Sequence, residues 1–313
     1  MPSRSDHTAR PRIAVLLATH NGERWLDEQL DSILGQRDVS VRVIAMDDGS
    51  SDGTRQLLER RAEAEQRLTI LQGEGRAGSA ARNFYRLIAN AKIEDGEIVA
   101  LADQDDLWAP NKLSRHSDLL ESLGCDGVSS SVTSFTPNGQ RSLIRKDYPQ
   151  RNYDFLLEGP GPGSTFLFSR RLLDLMREVL ARTDVDAISI EHDWLIYAVA
   201  RAAGWSWHID STPSVDYRQH DTNAMGSNVG LRSGMSRLAM IRSGWHRRQS
   251  ELIAQIGASV APEHSRGELQ AIHDLLIRPG VRSRLSLARL AGQLRRRPRD
   301  RAIIGVLIAI GVW

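Results

Sequence analysis

Three carboxylates follow directly on an apolar run about a third of the way along the chain. Residues 98–102 have the length and composition of a short buried strand, and Asp103, Asp105 and Asp106 come immediately after it. Acids this close repel one another, so a partly buried site that holds them favours a bound cation. Asp103 and Asp105 are two residues apart and would point to the same side of an extended backbone. Their oxygens favour Mg²⁺ or Mn²⁺ over zinc, whereas the alternative is a solvated turn whose Asp side chains cap the next helix.

The segments before this turn alternate between strand and helix patterns. Apolar runs predict strands over residues 13–18, 41–46, 68–71 and 98–102, and helical spacing or turn signals predict helices between them, at 25–34, around 57–62 and at 79–91. This alternation predicts an α/β fold with a Rossmann-like, mostly parallel sheet and helices on both faces. Ligands of such sheets bind at the carboxyl ends of the strands. We therefore expect residues 19–21, 47–48 and 103–105 to lie on one rim.

Neither glycine-rich phosphate motif is present: no G-x-G-x-x-G follows the first strand, and no G-x-x-x-x-G-K-[ST] occurs. A rim that presents acids where a dinucleotide-binding enzyme presents glycine amides would hold phosphates through a metal ion. The second half predicts strands at 128–135, 164–168 and 205–209, a stiff Gly-Pro loop at 159–163 and a helix at 171–180. Beyond residue 231 helical patterns dominate, with breaks at Pro262 and Pro279.

Composition sets the broad class. The 313 residues carry a net charge of +2, so bulk charge does not favour a nucleic-acid partner. A single cysteine, Cys125, excludes an internal disulfide and fits a reducing compartment. The apolar run 13–18 is too short for a signal-peptide core. We therefore expect a cytoplasmic protein, and we keep a nucleic-acid binder acting through the arginine-rich segment 278–301 only as a weak alternative.

Six motifs, taken together, resemble family 2 glycosyltransferases of the GT-A fold. In chain order they are Ala-Thr-His-Asn-Gly (18–22), Met-Asp-Asp-Gly-Ser-Ser-Asp-Gly-Thr (46–54), Ala-Ala-Arg-Asn (80–83), Ala-Asp-Gln-Asp-Asp-Leu-Trp (102–108), His-Asp-Trp (192–194) and Tyr-Arg-Gln-His (217–220). The fourth and sixth motifs most resemble the rhamnosyltransferase-like members that build bacterial surface polysaccharides. The resemblance covers residues 12–226 and implies a GT-A fold.

The resemblance also implies roles for residues of the nucleotide half. Positions that hold the base and ribose of the nucleotide are matched by Thr19, Asn21 and Asp48, with Asp48 accepting from the base ring N–H. The helix start that flanks the nucleotide is matched by Arg82 and Asn83. Asp103 matches the acid on the ribose side.

The remaining matched positions concern the metal ion and the reaction. Asp105 matches the metal ligand, and His220 matches a histidine near the diphosphate and the metal. Arg218 could pair with phosphate oxygens, but a role in supporting the fold is as good an interpretation. Asp193 matches the catalytic base. The alternative interpretation of Asp193 at a helix start is a helix cap, and Glu191, which departs from the family pattern, is the alternative base.

The expected organisation is a flexible N-terminus at 1–11, a catalytic domain at 12–226 and a helical C-terminal extension at 227–313. Within the domain, 12–113 would be the nucleotide-binding half and 114–226 the acceptor half. The apolar end, residues 302–313, would form a helix of about 18 Å, too short to cross about 30 Å of hydrocarbon. With the arginines of 289–301 before it, it predicts a peripheral anchor on the inner face of the plasma membrane. A helix docked on the domain or in a homodimer is an equal alternative.

These observations predict a metal-dependent, inverting glycosyltransferase. The expected donor is a nucleotide sugar such as dTDP-rhamnose, and the expected acceptor is a polysaccharide or a lipid-linked oligosaccharide. The alternatives are a UDP-hexose donor, or a non-catalytic protein that binds a nucleotide sugar.

Overall fold

The computed structural model describes residues 10–73, 75–183, 190–220 and 244–313, so the expected flexible segment 1–11 lies almost wholly outside it. A seven-stranded sheet forms its centre, in the spatial order β10-β6-β9-β4-β1-β2-β3. These strands are β1 (Arg12–Thr19), β2 (Ser40–Asp47), β3 (Leu68–Ile70), β4 (Glu97–Ala102), β6 (Gly127–Ser130), β9 (Leu167–Phe168) and β10 (Trp207–Asp210). Only β9 runs antiparallel to its neighbours. The expected mostly parallel α/β sheet is confirmed.

A smaller sheet of four strands lies beside the acidic turn, in the order β5-β11-β7-β8. Its strands are β5 (Leu107–Trp108), β7 (Val132–Phe135), β8 (Arg141–Ile144) and β11 (Val215–Arg218). The prediction of one strand over 128–135 was wrong. The first part of that run pairs in the large sheet and the second in the small one, with Ser131 between them. The predicted strand 164–168 is a 3₁₀ turn over Gly163–Thr165 followed by the two-residue β9.

Helices cover the large sheet and continue into the C-terminal extension. The first group is α1 (Leu26–Leu34), α2 (Thr54–Ala64), α3 (Ala80–Asn90), α4 (Lys112–Ser122), α5 (Arg170–Arg182) and α6 (His192–Ala202). The second group is α7 (Trp245–Val260), α8 (Glu263–Ile277), α9 (Val281–Arg289), α10 (Ala291–Leu294) and α11 (Pro298–Ile310). The breaks expected at Pro262 and Pro279 fall between α7, α8 and α9.

The central strand β1 explains why the sheet is buried on both faces. Its alternate residues enter two different apolar clusters, because side chains on a strand point to opposite faces. Ala14, Leu16 and Ala18 pack with α3, α5 and α6, and Ile13, Val15 and Leu17 pack with α1 and α2. A continuous apolar strand is what such two-sided burial requires.

The strand order places a switch point between β1 and β4, because the chain adds β2 and β3 on one side of β1 and β4 on the other. In sheets of this kind a crevice opens there, outside the carboxyl ends of the strands. Thr19 lies opposite Asp47, and Leu17 lies opposite Ala102, the residue before Asp103. The expectation that these three strand ends share one rim is confirmed.

The C-terminal extension packs on the domain that precedes it. Ile304, Ile308 and Trp313 are buried, which agrees with the interpretation of this segment as a docked helix. Arg295 and Arg296 turn inward against the segment 154–159, so these two arginines do not face a membrane or another outside partner. Within the described ranges, no helix combines the length and the apolar character needed to span a bilayer.

Candidate active site

The ends of β1 and β2 are joined by hydrogen bonds between their own polar residues. Thr19 is buried, and its hydroxyl donates to Asp47 over 3.0 Å. Asn21 is exposed with a left-handed backbone (φ 50°), and its Oδ1 accepts from the backbone N–H of Ser51 over 2.8 Å. Of the two residues predicted to meet the nucleotide here, Asn21 presents its side chain to solvent and Thr19 supports the rim from below.

Asp48 holds the loop that leads to α3. Its carboxylate accepts from the backbone N–H groups of Ala77 and Gly78, the second over 2.8 Å. The side chain is 5% exposed. Each carboxylate oxygen can accept more than one bond, so this arrangement fixes the loop and leaves acceptor capacity on the carboxylate.

The first turn of α3 carries the next two predicted residues. The helix begins after Ser79, whose hydroxyl accepts from the backbone N–H of Arg82 over 3.3 Å. Arg82 is half-buried at the start of the helix. Asn83 is buried and donates to the carbonyl oxygens of Met46 (3.0 Å) and Thr19 (3.4 Å). Asn83 therefore joins the ends of β1 and β2 from beneath the crevice.

The acidic turn after β4 concentrates negative charge at the switch point. Burial, together with the charges of Asp106 and Asp105, raises the pKa of Asp103 well above its usual range. Burial and the charge of Asp105 raise the pKa of Asp106 to about 7. A cation bound here would offset both the burial and the mutual repulsion.

Gln104, inside the same turn, is a site residue that sequence reasoning missed. Its side chain accepts from the backbone N–H of His20 (2.7 Å) and donates to the carbonyl of the same residue (2.8 Å). It also lies against Gly22, where an added Cβ would stand 2.2 Å from its Oε1. Gln104 therefore ties the two loops of the switch point together, and Gly22 makes room for it. The only signal in the sequence was its place between two acids.

The two residues predicted as metal ligands contact each other. His220 Nε2 lies 2.7 Å from Asp105 Oδ2, and the ring of His220 stacks on Trp25 with centroids 4.2 Å apart. Arg218 donates to the carbonyl oxygen of Asp105 (2.8 Å) and to Glu28 (2.6 Å). These contacts favour the interpretation of Arg218 as a support of the turn.

The donor set fits a hard divalent cation that is shared with a ligand. Within the described parts of the chain, no three His, Cys, Asp or Glu side chains form a group that could hold a metal by themselves. Mg²⁺ and similar ions are commonly bound by one or two protein ligands plus phosphate oxygens. Asp105 and His220 could supply that protein share, because they already face one another.

Asp193 lies in the first turn of α6, and its carboxylate interacts electrostatically with Asp103 of the acidic turn. Its charge and that of Glu191 contribute to the raised pKa of Asp103, so the three carboxylates belong to one electrostatic environment. Burial, with a contribution from Glu191, raises the pKa of Asp193 to about 7. The N-cap position is Glu191, whose side chain makes no capping bond, while Asp193 Oδ1 accepts from its neighbour Trp194 N over 2.6 Å. Asp193 is thus not the helix cap that the alternative interpretation required.

His192, between these two acids, is the first residue of α6. His192 is buried and stacks on Phe84 of α3 with centroids 3.9 Å apart. Burial lowers its pKa to about 3, so the ring is neutral at physiological pH. Gly163 lies against the same ring, where a Cβ would stand 2.3 Å from Nε2. The Gly-Pro loop predicted on the acceptor side therefore packs directly on the helix that carries Asp193.

Lys146 is a second residue that sequence reasoning missed. It follows β8, and its Cγ would lie 3.6 Å from a Cβ placed on Gly161. Burial and the charge of Arg296 lower the pKa of Lys146, while Asp193 acts in the opposite direction. The positive charge of Lys146 in turn lowers the pKa of Asp193. No sequence motif marks this lysine, because the small sheet that positions it was not predicted.

Comparisons with known proteins agree with this geometry. Residues 14–176 match the family model described as glycosyl transferase family 2. A dTDP-rhamnosyl transferase of Shigella flexneri is 33% identical over 240 residues, which cover 76% of this chain and 83% of that protein. A UDP-Glc:alpha-D-GlcNAc-diphosphoundecaprenol beta-1,3-glucosyltransferase of Escherichia coli is 28% identical over 166 residues, covering 52% of this chain and 62% of that one.

Solved structures show the same fold. The S. aureus TarS fragment 1–349 in complex with UDP gives a TM-score of 0.54 at 15% identity, over 96% of this chain and 88% of that one. A mannosyltransferase from Pyrobaculum calidifontis, in complex with GDP-Man and Mn²⁺, gives a TM-score of 0.52 at 22% identity, over 98% of this chain and 82% of that one. The fold is therefore that of GT-A glycosyltransferases. On its sequence match and its fold together, the chain belongs to glycosyl transferase family 2 and is a glycosyltransferase.

Proposed function

We propose that this enzyme transfers a deoxyhexose, with rhamnose from dTDP-rhamnose as the favoured donor, to a growing polysaccharide or a lipid-linked oligosaccharide in bacterial surface polysaccharide synthesis. Support for the donor comes from the dTDP-rhamnosyl transferase that is 33% identical over most of both chains. The observation that carries the reaction is Asp193, a carboxylate whose pKa is raised to about 7 by burial and which shares one electrostatic environment with the acidic turn.

In the proposed reaction Asp193 accepts the proton of the acceptor hydroxyl. The oxygen of that hydroxyl bonds to the anomeric carbon as the bond from that carbon to the nucleoside diphosphate breaks. A single displacement of this kind inverts the anomeric carbon, by the same logic as an inverting glycosidase with an alcohol in place of water. A base whose pKa lies near the working pH is suited to this step.

The proposed ligands for Mg²⁺ or Mn²⁺ are Asp105 and His220, and Asp103 is proposed to face the ribose. When bound, the ion would neutralise charge that develops on the leaving diphosphate. In this proposal Asn21, Asp48 and Arg82 face the nucleotide directly, while Thr19 and Asn83 hold the rim and Arg218 holds the acidic turn. Mn²⁺ in the related mannosyltransferase structure supports a divalent ion.

Two alanine substitutions separate binding from chemistry. Asp105→Ala should abolish transfer and remove the Mn²⁺-dependent part of donor binding, whereas Asp193→Ala should abolish transfer and leave donor binding intact. Donor binding is measured by isothermal titration, and transfer by release of nucleoside diphosphate. Wild-type turnover in both variants would show that the site is assigned wrongly. A non-catalytic nucleotide-sugar-binding protein would bind the donor and release no nucleoside diphosphate.

A UDP-hexose donor is the second candidate, favoured by the glucosyltransferase relative and by the TarS complexes with UDP and UDP-GlcNAc. A thermal-shift screen with dTDP-rhamnose, UDP-glucose and UDP-galactose, each with and without Mn²⁺, distinguishes them. A ligand at about 100 times its Kd stabilises the folded state by about 2.7 kcal/mol. We expect the largest rise in Tm with dTDP-rhamnose and Mn²⁺; a larger rise with a UDP-hexose would replace the proposed donor.

We also propose that the C-terminal extension rests on an anionic membrane surface. The outer side of α11 exposes Ile303, Val306 and Ile310 after Arg299, and its neighbour α9 exposes a stripe of Val281, Arg282, Leu285 and Arg289. Apolar side chains flanked by arginines match the boundary between acyl chains and acidic headgroups.

Flotation with vesicles tests this face. The full chain should float with phosphatidylglycerol vesicles and stay in solution with phosphatidylcholine vesicles, and the double variant Val306→Glu/Ile310→Glu should lose flotation. A matched control is Ile277→Glu, an exposed apolar residue at the end of α8. Equal flotation of wild type and double variant would overturn the membrane proposal. Concentration-dependent dimers that the double variant abolishes would assign the face to a homodimer instead.

A further inference from the structure

We propose that Arg296, in the C-terminal extension, is a positioning residue for sugar transfer that holds the loop 154–163 against the start of α6. The inference rests on the proposed role of Asp193. It gives the extension a part in the active site, which no motif in the sequence assigns to it.

The first step is the contact between Arg296 and the loop. Its side chain is 3% exposed, and Nη2 donates to the carbonyl oxygen of Gly159 over 2.6 Å. Its guanidinium also lies 3.6 Å from a carboxylate oxygen of Glu158 and 3.7 Å from one of Asp154. The backbone N–H of Arg296 donates to Glu158 as well. One buried arginine therefore holds three positions of the loop.

The second step is the buried carboxylate beneath the loop. Asp154 is fully buried, and it accepts from Tyr197 over 2.9 Å and from the backbone N–H of Arg151 over 3.1 Å. Arg201 of α6 lies 3.5 Å from Oδ1 of Asp154, whereas Arg296 lies 3.7 Å from Oδ2. A buried acid needs hydrogen bonds and opposite charge to compensate for lost hydration. Asp154 is thus shared between α6 and Arg296.

The third step leads from the loop to Asp193. Gly159 packs on the backbone of Trp194, where an added Cβ would stand 3.5 Å from its Cα. The indole N–H of Trp194 donates to the carbonyl of Phe155 over 2.7 Å. Both ends of the segment 155–159 therefore contact the residue that follows Asp193. A shift of the loop moves the carboxylate, and displacements of about 1 Å can cost a hundredfold in rate.

Burying a guanidinium costs hydration free energy, so the burial of Arg296 requires compensating contacts. The adjacent Arg297 and the nearby Arg299 are exposed, as is usual for arginine. Aromatic contacts also connect the extension to Trp194. The ring centroid of His246 in α7 lies 5.3 Å from that of Trp194 and 6.1 Å from that of Trp313. The extension therefore reaches Trp194 by two independent routes.

The experiment compares Arg296→Ala with wild type and with Arg266→Ala, an exposed arginine of α8 that donates to the carbonyl of Ala261. Hydrogen–deuterium exchange follows peptides covering 154–163 and 192–195. Hydrolysis of dTDP-rhamnose, with water as acceptor, follows turnover from pH 5 to 9. We expect Arg296→Ala to raise deuterium uptake in both peptides and to lower the rate about tenfold to a hundredfold. Arg266→Ala should change neither quantity.

The acidic limb of the pH profile adds a readout that a merely structural role would not move. Opening the loop admits water to Asp193, so its raised pKa should fall toward the ordinary value and the limb should move to lower pH. Arg296→Lys keeps the charge but cannot reach all three partners, and we expect intermediate values. If Arg296→Ala does not fold, Glu158→Gln serves as the milder variant and should change uptake in the same direction.

A lower Tm with unchanged uptake, rate and pH profile would overturn the inference, as would raised uptake with an unchanged rate. The two proposals fail separately. An inactive Asp193→Asn variant beside an unaltered Arg296→Ala variant overturns only the role of Arg296. Wild-type hydrolysis by Asp193→Asn overturns the proposed function.

Discussion

Two regions of the site are held in different ways. One is the rim at the ends of β1 and β2, and the other is the wall that carries Asp193, formed by the start of α6 and the loop 154–163. On the rim, short bonds between neighbouring polar groups fix each side chain: Thr19 to Asp47, Asp48 to two backbone N–H groups, and Asn83 to two carbonyls. At the wall, Asp193 accepts one bond from its own helix and has its pKa raised by burial. In the proposed function the rim binds the nucleotide, and the carboxylate at the wall accepts a proton.

The two regions also differ in how far along the sequence their supporting contacts come from. Thr19, Asp48 and Asn83 are each held by contacts within residues 12–113. The wall depends on the loop 154–163, on Lys146 and on Arg296, which come from three separate parts of the sequence. We therefore expect changes at the wall to alter turnover and changes at the rim to alter nucleotide affinity.

The largest expected effect is at the wall. Asp193→Asn should lower the rate of transfer about a thousandfold, within the range for loss of a general base, and leave the Kd for dTDP unchanged. Glu191→Gln, which removes the neighbouring charge but not the base, should lower the rate less than tenfold. Steady-state kinetics and isothermal titration measure the two quantities. Equal losses in both variants would mean that the two acids act together or that Glu191 is the base.

A smaller effect is expected at the rim. Asp48→Asn places an amide N–H against one of the two backbone N–H groups that the carboxylate accepts from. An unsatisfied buried donor costs about 1 to 3 kcal/mol, so the loop 76–78 should loosen and the Kd for dTDP should rise about tenfold or more. The turnover number at saturating donor should change little. A large fall in turnover with unchanged affinity would contradict the division between rim and wall.

The smallest effect concerns stability. The pKa of Asp193 is raised in the folded protein, so its contribution to the free energy of unfolding is fully present below pH 3.8 and is lost as the pH rises through about 7. Asn removes the cost of the buried charge, so Asp193→Asn should be more stable than wild type at pH 8, by roughly 2 kcal/mol or less. The gain should vanish near pH 4. Thermal unfolding of both proteins across this range measures it, and a less stable variant at pH 8 would contradict the account.

The sequence predicted the large sheet and its rim because strands buried on both faces leave long apolar runs, and polar residues at their ends stand out. It did not predict the small sheet, whose strands have two to four residues and carry no clear alternation. The run 128–135 reads as one strand although it serves two sheets, since pairing partners are not encoded locally. The domain boundary expected at residue 226 lies outside the described residues.

The candidate site divides in the same way. Residues inside motifs, such as Asp105 and His220, could be proposed from the sequence, and they are in contact in the structure. Arg296 could not be proposed from the sequence, because nearby arginines such as Arg297 and Arg299 are exposed. Its burial depends on a loop 137 residues earlier in the chain. Lys146 lacked a signal for the same reason. Their positions are consequences of tertiary packing.

The most direct test of the central claim is the pH dependence of kcat/KM for donor turnover in wild type and in Asp193→Asn. A carboxylate with a pKa of about 7 should make the wild-type rate rise about tenfold per pH unit below the midpoint and level off above pH 7. The residual activity of Asp193→Asn should show no such rise. A rise with the same midpoint in the variant would mean that another group is the base.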